Sequence, residues 1–214
     1  MSADLPGFPP HAFEKSDDAP DEQFYSFPRF VTHIDDPAIA AVTDLYRELF
    51  PPGGVLLDLM GSWVSHLPDD VAYAEVIGHG MNAEELAANP RYSRWFVQNL
   101  NETPRLPLAE ASVDAVAICV SIQYLQDPVA VLREVKRVLK PSGLVAITFS
   151  NRCFPTKAVA IWQALGDEGH EKLVSHYFTT AGWERIEALR SPARDADPLY
   201  AVIAAAPAAP AAGL

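Results

Sequence analysis

The chain has 214 residues, enough for one domain with a sizeable core. Apolar residues make up 49% and charged residues 21%, the balance of a soluble globular protein. The formal net charge of -12 repels phosphate backbones, which argues against nucleic acid as a general partner.

No apolar run is long enough to span a bilayer, and no basic stretch followed by an apolar one opens the chain. A cytoplasmic protein with no membrane partner is expected. Cys119 and Cys153 form no CxxC pair, so two free thiols are expected. The six histidines show no HxH or HExxH spacing, and no metal site is expected.

Residues 1–20, rich in Pro, Asp and small residues, read as a flexible arm. In the next stretch, 21–35, Phe24, Tyr25, Phe27 and Phe30 crowd around Pro28. Such a segment buries aromatic area, either as a strap over the core or as a lid over a pocket. Asp36-Pro37 signals a helix start, with apolar residues at helical spacing from Ile39 to Leu49 and a stop at Pro51-Pro52-Gly53.

Val55–Leu59 reads as a buried strand, followed by a tight Met60-Gly61-Ser62 turn and the start of a helix that Pro68 stops. Ala74–Ile77 is a second strand, Asn82–Ala88 a helix, Phe96–Leu100 a third strand and Ala115–Val120 a fourth. Asp127-Pro128 opens the clearest amphipathic helix, which Pro141-Ser142-Gly143 closes. Leu144–Phe149 is the fifth strand, and Lys157–Leu165 and His170–Ala181 look helical. Trp183–Leu189 and Leu199–Ala204 are the last strands, and the alanine- and proline-rich end, 205–214, reads as a disordered tail. Alternating elements predict a doubly wound α/β sheet of seven strands, mostly parallel, with an antiparallel C-terminal hairpin. A single domain over 21–204 is expected.

The run Ser112-Val113-Asp114-Ala115-Val116, then Tyr124-Leu125-Gln126-Asp127-Pro128, then Leu132 to Gly143 (LREVKRVLKPSG) carries a family likeness. It resembles the class I S-adenosylmethionine-dependent methyltransferases, the type 11 group in particular. The resemblance covers roughly 36–204 and implies a Rossmann-like fold with S-adenosylmethionine as cofactor. The family's first strand ends in L-D-L-G-x-G-x-G; here Met60, Ser62 and Val64 stand in the glycine places. The family's ribose-binding acid, at the end of the second strand, is replaced by Gly80, and its later G-D pair by Asn101-Glu102.

The cofactor candidates implied by this match are Asp58, Met60, Gly61, Ser62, Gly80, Met81, Asn82, Asn101, Glu102 and Cys119. Asp58 either organises the turn and the cofactor's ammonium or only stabilises the turn. Trp63 and Met81 either flank an adenosine or belong to the core. Asn82 either bonds ribose in place of the lost acid or caps its helix. Tyr25, Gln123, Tyr124, Asn151 and Arg152 are candidates for the acceptor, Arg152 for its reach to an acidic group. His33 and Tyr124 are the candidate bases, and His66 and His79 sit beside turns. The cysteines read as small buried hydrophobes.

Two functions follow. One is a methyltransferase acting on a small molecule, aligning an acceptor against an activated donor. The other is a non-catalytic protein that keeps the fold as a ligand-binding or regulatory module. The sequence leaves the oligomeric state open.

Overall fold

The computed structural model describes residues 5, 7–9, 11–191 and 196–209. Its centre is a seven-stranded sheet in the order β3-β2-β1-β4-β5-β7-β6. In chain order the strands are β1 Val55–Asp58, β2 Glu75–Gly80, β3 Arg94–Val97, β4 Val113–Cys119, β5 Leu139–Phe149, β6 Arg185–Ser191 and β7 Leu199–Ala205. The β1–β4 pair is parallel, with Leu57 opposite Val116, so the expected neighbour across the switch point is found. β7 runs antiparallel to both β5 and β6, as expected for the C-terminal hairpin.

The helices are α1 Asp21–Tyr25, α2 Asp36–Leu49, α3 Ala83–Ala88, α4 Pro128–Val138, α5 Ala160–Ala164 and α6 Asp167–Thr180. Asp35 and Asp127 cap α2 and α4, each accepting from the amide three residues on, and Pro follows within the first turn. Among the described residues no helix is long and apolar enough to cross a membrane.

Strand alternation sorts the core into two faces. Leu57, Val116, Ile118, Val145 and Ile147 face α4, α5 and α6. Leu56, Ala115, Ala117 and Ala146 face α2. The three alanines leave room for Tyr46 of α2 and Phe50 just after it, whose rings stack at 4.7 Å.

Three expectations are corrected. The first is the helix after β1. Residues 59–74 contain none, and Met60 and His66 take positive φ, 61° and 54°. Side chains from elsewhere hold this irregular backbone instead: Asn89 Nδ2 donates to Ser62 O, Thr43 Oγ1 to His66 O, and Arg91 to Pro68 O and Val71 O. A segment so short, stopped by Pro68, has no length in which to repay helix nucleation.

The second is the flexible arm. Leu5, Ala12 and Phe13 are buried in the core, and Lys15 bridges Val159. Lys15 and Lys157 fix Asp21 at 2.7 and 3.5 Å. Polar composition hid an anchor made of ion pairs and main-chain bonds.

The third is the tail. Ala205 belongs to β7, Ala206 is buried and donates to Gly143 O, and the end of the expected tail, 210–214, lies outside the described residues.

Candidate functional site

A concavity of about 270 Å³ lies over the carboxyl ends of β1, β2 and β4. Asp58, Cys119 and Ser121 line it from the strand ends; Met60–Ser65 and His79–Asn82 form one side, and Gln98–Asn101 with Tyr124 and Leu125 supply another. Its roof is the 21–34 segment, through Tyr25, Arg29 and Val31–Ile34. Parallel strands end here, so a crevice opens where neighbouring connections diverge to opposite faces.

The β1 turn is held from β2. The Met60 amide donates to His79 Nδ1 at 3.0 Å, and the Gly61 amide to His79 O at 2.7 Å. Met60 thus keeps a left-handed backbone that glycine adopts freely, at a cost of about 1–2 kcal/mol for a residue with a Cβ. Nδ1 accepts, so the ring hydrogen sits on Nε2, which donates to Gln98 O at 3.0 Å. Burial pulls the His79 imidazole down to about 4.

Asp58 is 3% exposed, and Tyr92 Oη donates to its Oδ2 at 2.8 Å. Burial pushes its carboxyl up to about 7, against the lowering effect of that hydroxyl. The Tyr92 side chain occupies the space a side chain at Gly61 or Gly78 would need. The sequence reading passed over Tyr92, because it lies in a loop and in no motif.

Gly80 ends β2 with no side chain, and the space beside it is filled. A Cβ there would meet Gly61 O at 2.5 Å and Leu86 Cδ2 at 3.2 Å. Asn82 caps α3: its Oδ1 accepts from the amides of Glu84 and Glu85, and its Nδ2 donates to Tyr25 O and Ser26 O. All four of its bonding positions are used, so the cap reading of Asn82 prevails over the ribose reading.

Met81 and Ser62 line the cavity, and Trp63 does so while its Nε1 donates to Val31 O. Asn101 lines it too, with its side chain committed to Asp21, Tyr124 O and the Gln126 amide. Glu102 does not line it; it is exposed and faces a separate groove.

At the acceptor end, Tyr25, His33, Tyr124 and Arg152 line the cavity, and Cys153 and Phe154 adjoin them. Tyr124 Oη accepts from the Phe154 amide at 2.9 Å, and burial raises its phenol far above the usual range, which removes it as a base. His33 packs edge-on against Phe154, and burial lowers its imidazole below the usual value. Arg152 Nε donates to buried Asp197 at 2.8 Å while most of the side chain stays exposed.

Gln123 and Asn151 do not line the cavity. Gln123 is 1% exposed and braces the chain by donating to Val120 O, and Asn151 is exposed beside Ser150. Both cysteines are free; burial pushes Cys119 up to about 11, which suits a packed thiol rather than a nucleophile.

The roof segment combines a short helix with a strap. Arg29 lies over the Phe24 ring at 4.4 Å, and its amide donates to Glu85 Oε1 at 2.6 Å. Phe24 packs edge-on against Phe154. Phe27 and Phe30, expected to bury aromatic area, are 79% and 51% exposed. Asp21, Glu85 and Phe154 are lining residues the sequence reading missed. Of these only Glu85 carried a signal, as an acid in the first turn of a helix beside the cofactor motif.

Residues 60–147 match a family model described as a methyltransferase domain. Among solved structures, the chain is similar to the 4+2 cyclase SpnF, with a TM-score of 0.63, 15% identity, and coverage of 88% of this chain and 92% of that one. It is similar to a SAM-dependent methyltransferase from Aquifex aeolicus, with a TM-score of 0.57, 16% identity, and coverage of 86% and 96%. It is similar too to phosphoethanolamine N-methyltransferase 2 from Haemonchus contortus in complex with S-adenosyl-L-methionine, with a TM-score of 0.60, 15% identity, and coverage of 87% and 56%. At these identities the likeness to solved structures is one of fold. No match to a curated protein was found by sequence.

Proposed function

We propose that this chain is an S-adenosylmethionine-dependent methyltransferase acting on a small-molecule acceptor. The family match and the structural neighbours support a class I methyltransferase family and S-adenosylmethionine as the cofactor. One observation carries the reading further. The cavity over β1, β2 and β4 is lined largely by the segment that the family model matches.

The residues present fit the cofactor at its two ends. Met81 and Leu100 offer apolar surface to an adenine. Ser121 Oγ is buried at the cavity wall with no protein partner, a polar group that a ligand would satisfy. Asp58 lies below the turn, where ionisation would balance the cofactor's ammonium. Between the two ends, the close approach of Gly61 O to Gly80 excludes an acid in the family's place.

When bound, the cofactor supplies a methyl group already activated by a sulfonium. The protein's work is then alignment and exclusion of water. The strap, fixed by Trp63, Asn82 and Glu85, roofs the cavity. His33 is the group able to receive a proton from an acceptor. Arg29 and Arg152 bring positive charge to the acceptor end of a strongly acidic protein, which favours an acceptor bearing an anionic group. A cytoplasmic setting completes this reading.

The second reading is a methyltransferase-fold protein with no methyl transfer. The packed turn over Gly80 favours it, and SpnF is a neighbour described as a cyclase. Calorimetric titration with S-adenosylmethionine and with S-adenosylhomocysteine separates the two. Micromolar binding of either supports the first reading; folded protein that binds neither overturns it.

A further inference from the structure

We propose that Glu85 replaces the missing strand-end acid and accepts hydrogen bonds from the ribose hydroxyls of the cofactor. The proposal rests on the S-adenosylmethionine reading above and names the residue that holds its middle.

Two buried hydroxyls need acceptors, because unpaired polar groups in a cavity lose their water without compensation. The family's position cannot supply one: Gly80 has no side chain and Gly61 O fills the space beside it. Asn82 is saturated by two accepted and two donated bonds.

Three carboxylates line the cavity among the described residues: Asp21, Asp58 and Glu85. Asp21 is held by Lys15, Lys157 and Asn101. Asp58 sits under the turn, bonded to Tyr92. Glu85 is engaged differently. Its Oε1 accepts from the Arg29 amide at 2.6 Å and its Oε2 from Ser62 Oγ at 2.5 Å. A carboxylate offers about four acceptor positions, so about two remain.

Its location is the right one. A Cβ on Gly80 would touch Gly61 O on one side and Leu86 Cδ2 on the other. Ser62 follows Gly61 in the chain and Glu85 precedes Leu86, so the Ser62–Glu85 pair brackets the strand end from its two neighbours. The acid has moved from the strand to the first turn of α3. Ser62, standing where the family has glycine, orients it. The same carboxylate holds the strap at Arg29, so the ribose site and the roof share one group.

The test is calorimetric titration of wild type, Glu85→Gln and Ser62→Ala with S-adenosylhomocysteine and with its 2′,3′-dideoxy analogue, with thermal melting to verify folding. The two ligands differ only in the hydroxyls, which isolates the pairwise contribution. Glu85→Gln should bind S-adenosylhomocysteine about tenfold more weakly and the dideoxy analogue less than twofold more weakly. Ser62→Ala should show a smaller loss with the same preference. Equal losses on both ligands would make Glu85 a fastener for the strap alone and would overturn the proposal, as would no loss on either. Wild type that binds neither S-adenosylmethionine nor S-adenosylhomocysteine overturns the cofactor reading, and this proposal with it.

Discussion

Met60 and His79 lock each other: the Met60 amide donates to His79 Nδ1, and only a neutral ring can accept it. Protonation would set two hydrogens face to face and release the β1 turn. The folded value of His79, about 4, lies below its ordinary 6.5. Its contribution to stability is therefore present above pH 6.5 and is lost as pH falls through 6.5 toward 4. Asp58 has the opposite sign. Its folded value of about 7 lies above the ordinary 3.8, so its contribution is present below pH 3.8 and is lost as pH rises through 7. Between pH 4 and 6.5 the two oppose each other. Urea denaturation of Asp58→Asn over this range should show stability rising with pH more steeply than wild type, by up to about 1.4 kcal/mol per pH unit. Parallel profiles would mean that the two groups do not titrate as their burial dictates.

Asn82→Ala removes the α3 cap and both ties from Nδ2 to the strap. A lost cap alone costs about 1 kcal/mol, which lowers Tm by about 2–4 °C in a chain of this size. Amide exchange across residues 23–28 should quicken in the same variant. An unchanged Tm with weakened S-adenosylhomocysteine binding would return Asn82 to the ribose.

Gly80→Asp restores the family's letter and should fail to restore its function. Its Cβ would press on Gly61 O, a backbone atom that moves only with the whole turn. Gly80→Ala, with the same Cβ and no charge, should destabilise similarly, by about 1–3 kcal/mol. Chemical denaturation reads the loss, and titration should show no gain in affinity. Tighter binding by Gly80→Asp would show that the turn yields readily.

The sheet was legible because its signals are periodic and local. Val55–Leu57, Ala115–Ile118 and Leu144–Ile147 are short apolar runs, and Asp127-Pro128 opens α4 in plain view. The site was half legible. Asp58, Met81 and Ser62 followed from strand ends, where position alone predicts a crevice. What escaped depends on pairings across the chain. Tyr92 reaches Asp58 from 34 residues away, and Asn101 reaches Asp21 from 80, with no periodicity to announce either. The arm misled for a related reason: its lysine and aspartates look solvated until the partner, Lys157, is placed beside them.

Lys157 is 0% exposed and donates to Asp17 O and Ala19 O, with Asp17 and Asp21 carboxylates at 3.2 and 3.5 Å. Lys157→Met removes the charge and leaves those acceptors facing an apolar group. Breaking a buried pair on one side costs about 3–5 kcal/mol. The variant should lose stability on that scale in urea and become sensitive to proteolysis within residues 14–20. Cleavage elsewhere, with this segment intact, would mean that the lysine does not fasten it.

The segment just before the roof of the crevice is held by residues far along the chain. Glu14 O accepts from the Ala160 amide and Ala12 O from Ile161, and Ser16 reaches Thr156 across 140 residues. At roughly 5–20 residues per second, about 140 residues of separation correspond to roughly 7–28 s of synthesis. During that interval the main-chain bonds of Ala12 and Glu14 and the ion pairs of Asp17 and Asp21 with Lys157 cannot form. During synthesis this anchor can close only once β1 to β5 have been made, with β6 and β7 still to come.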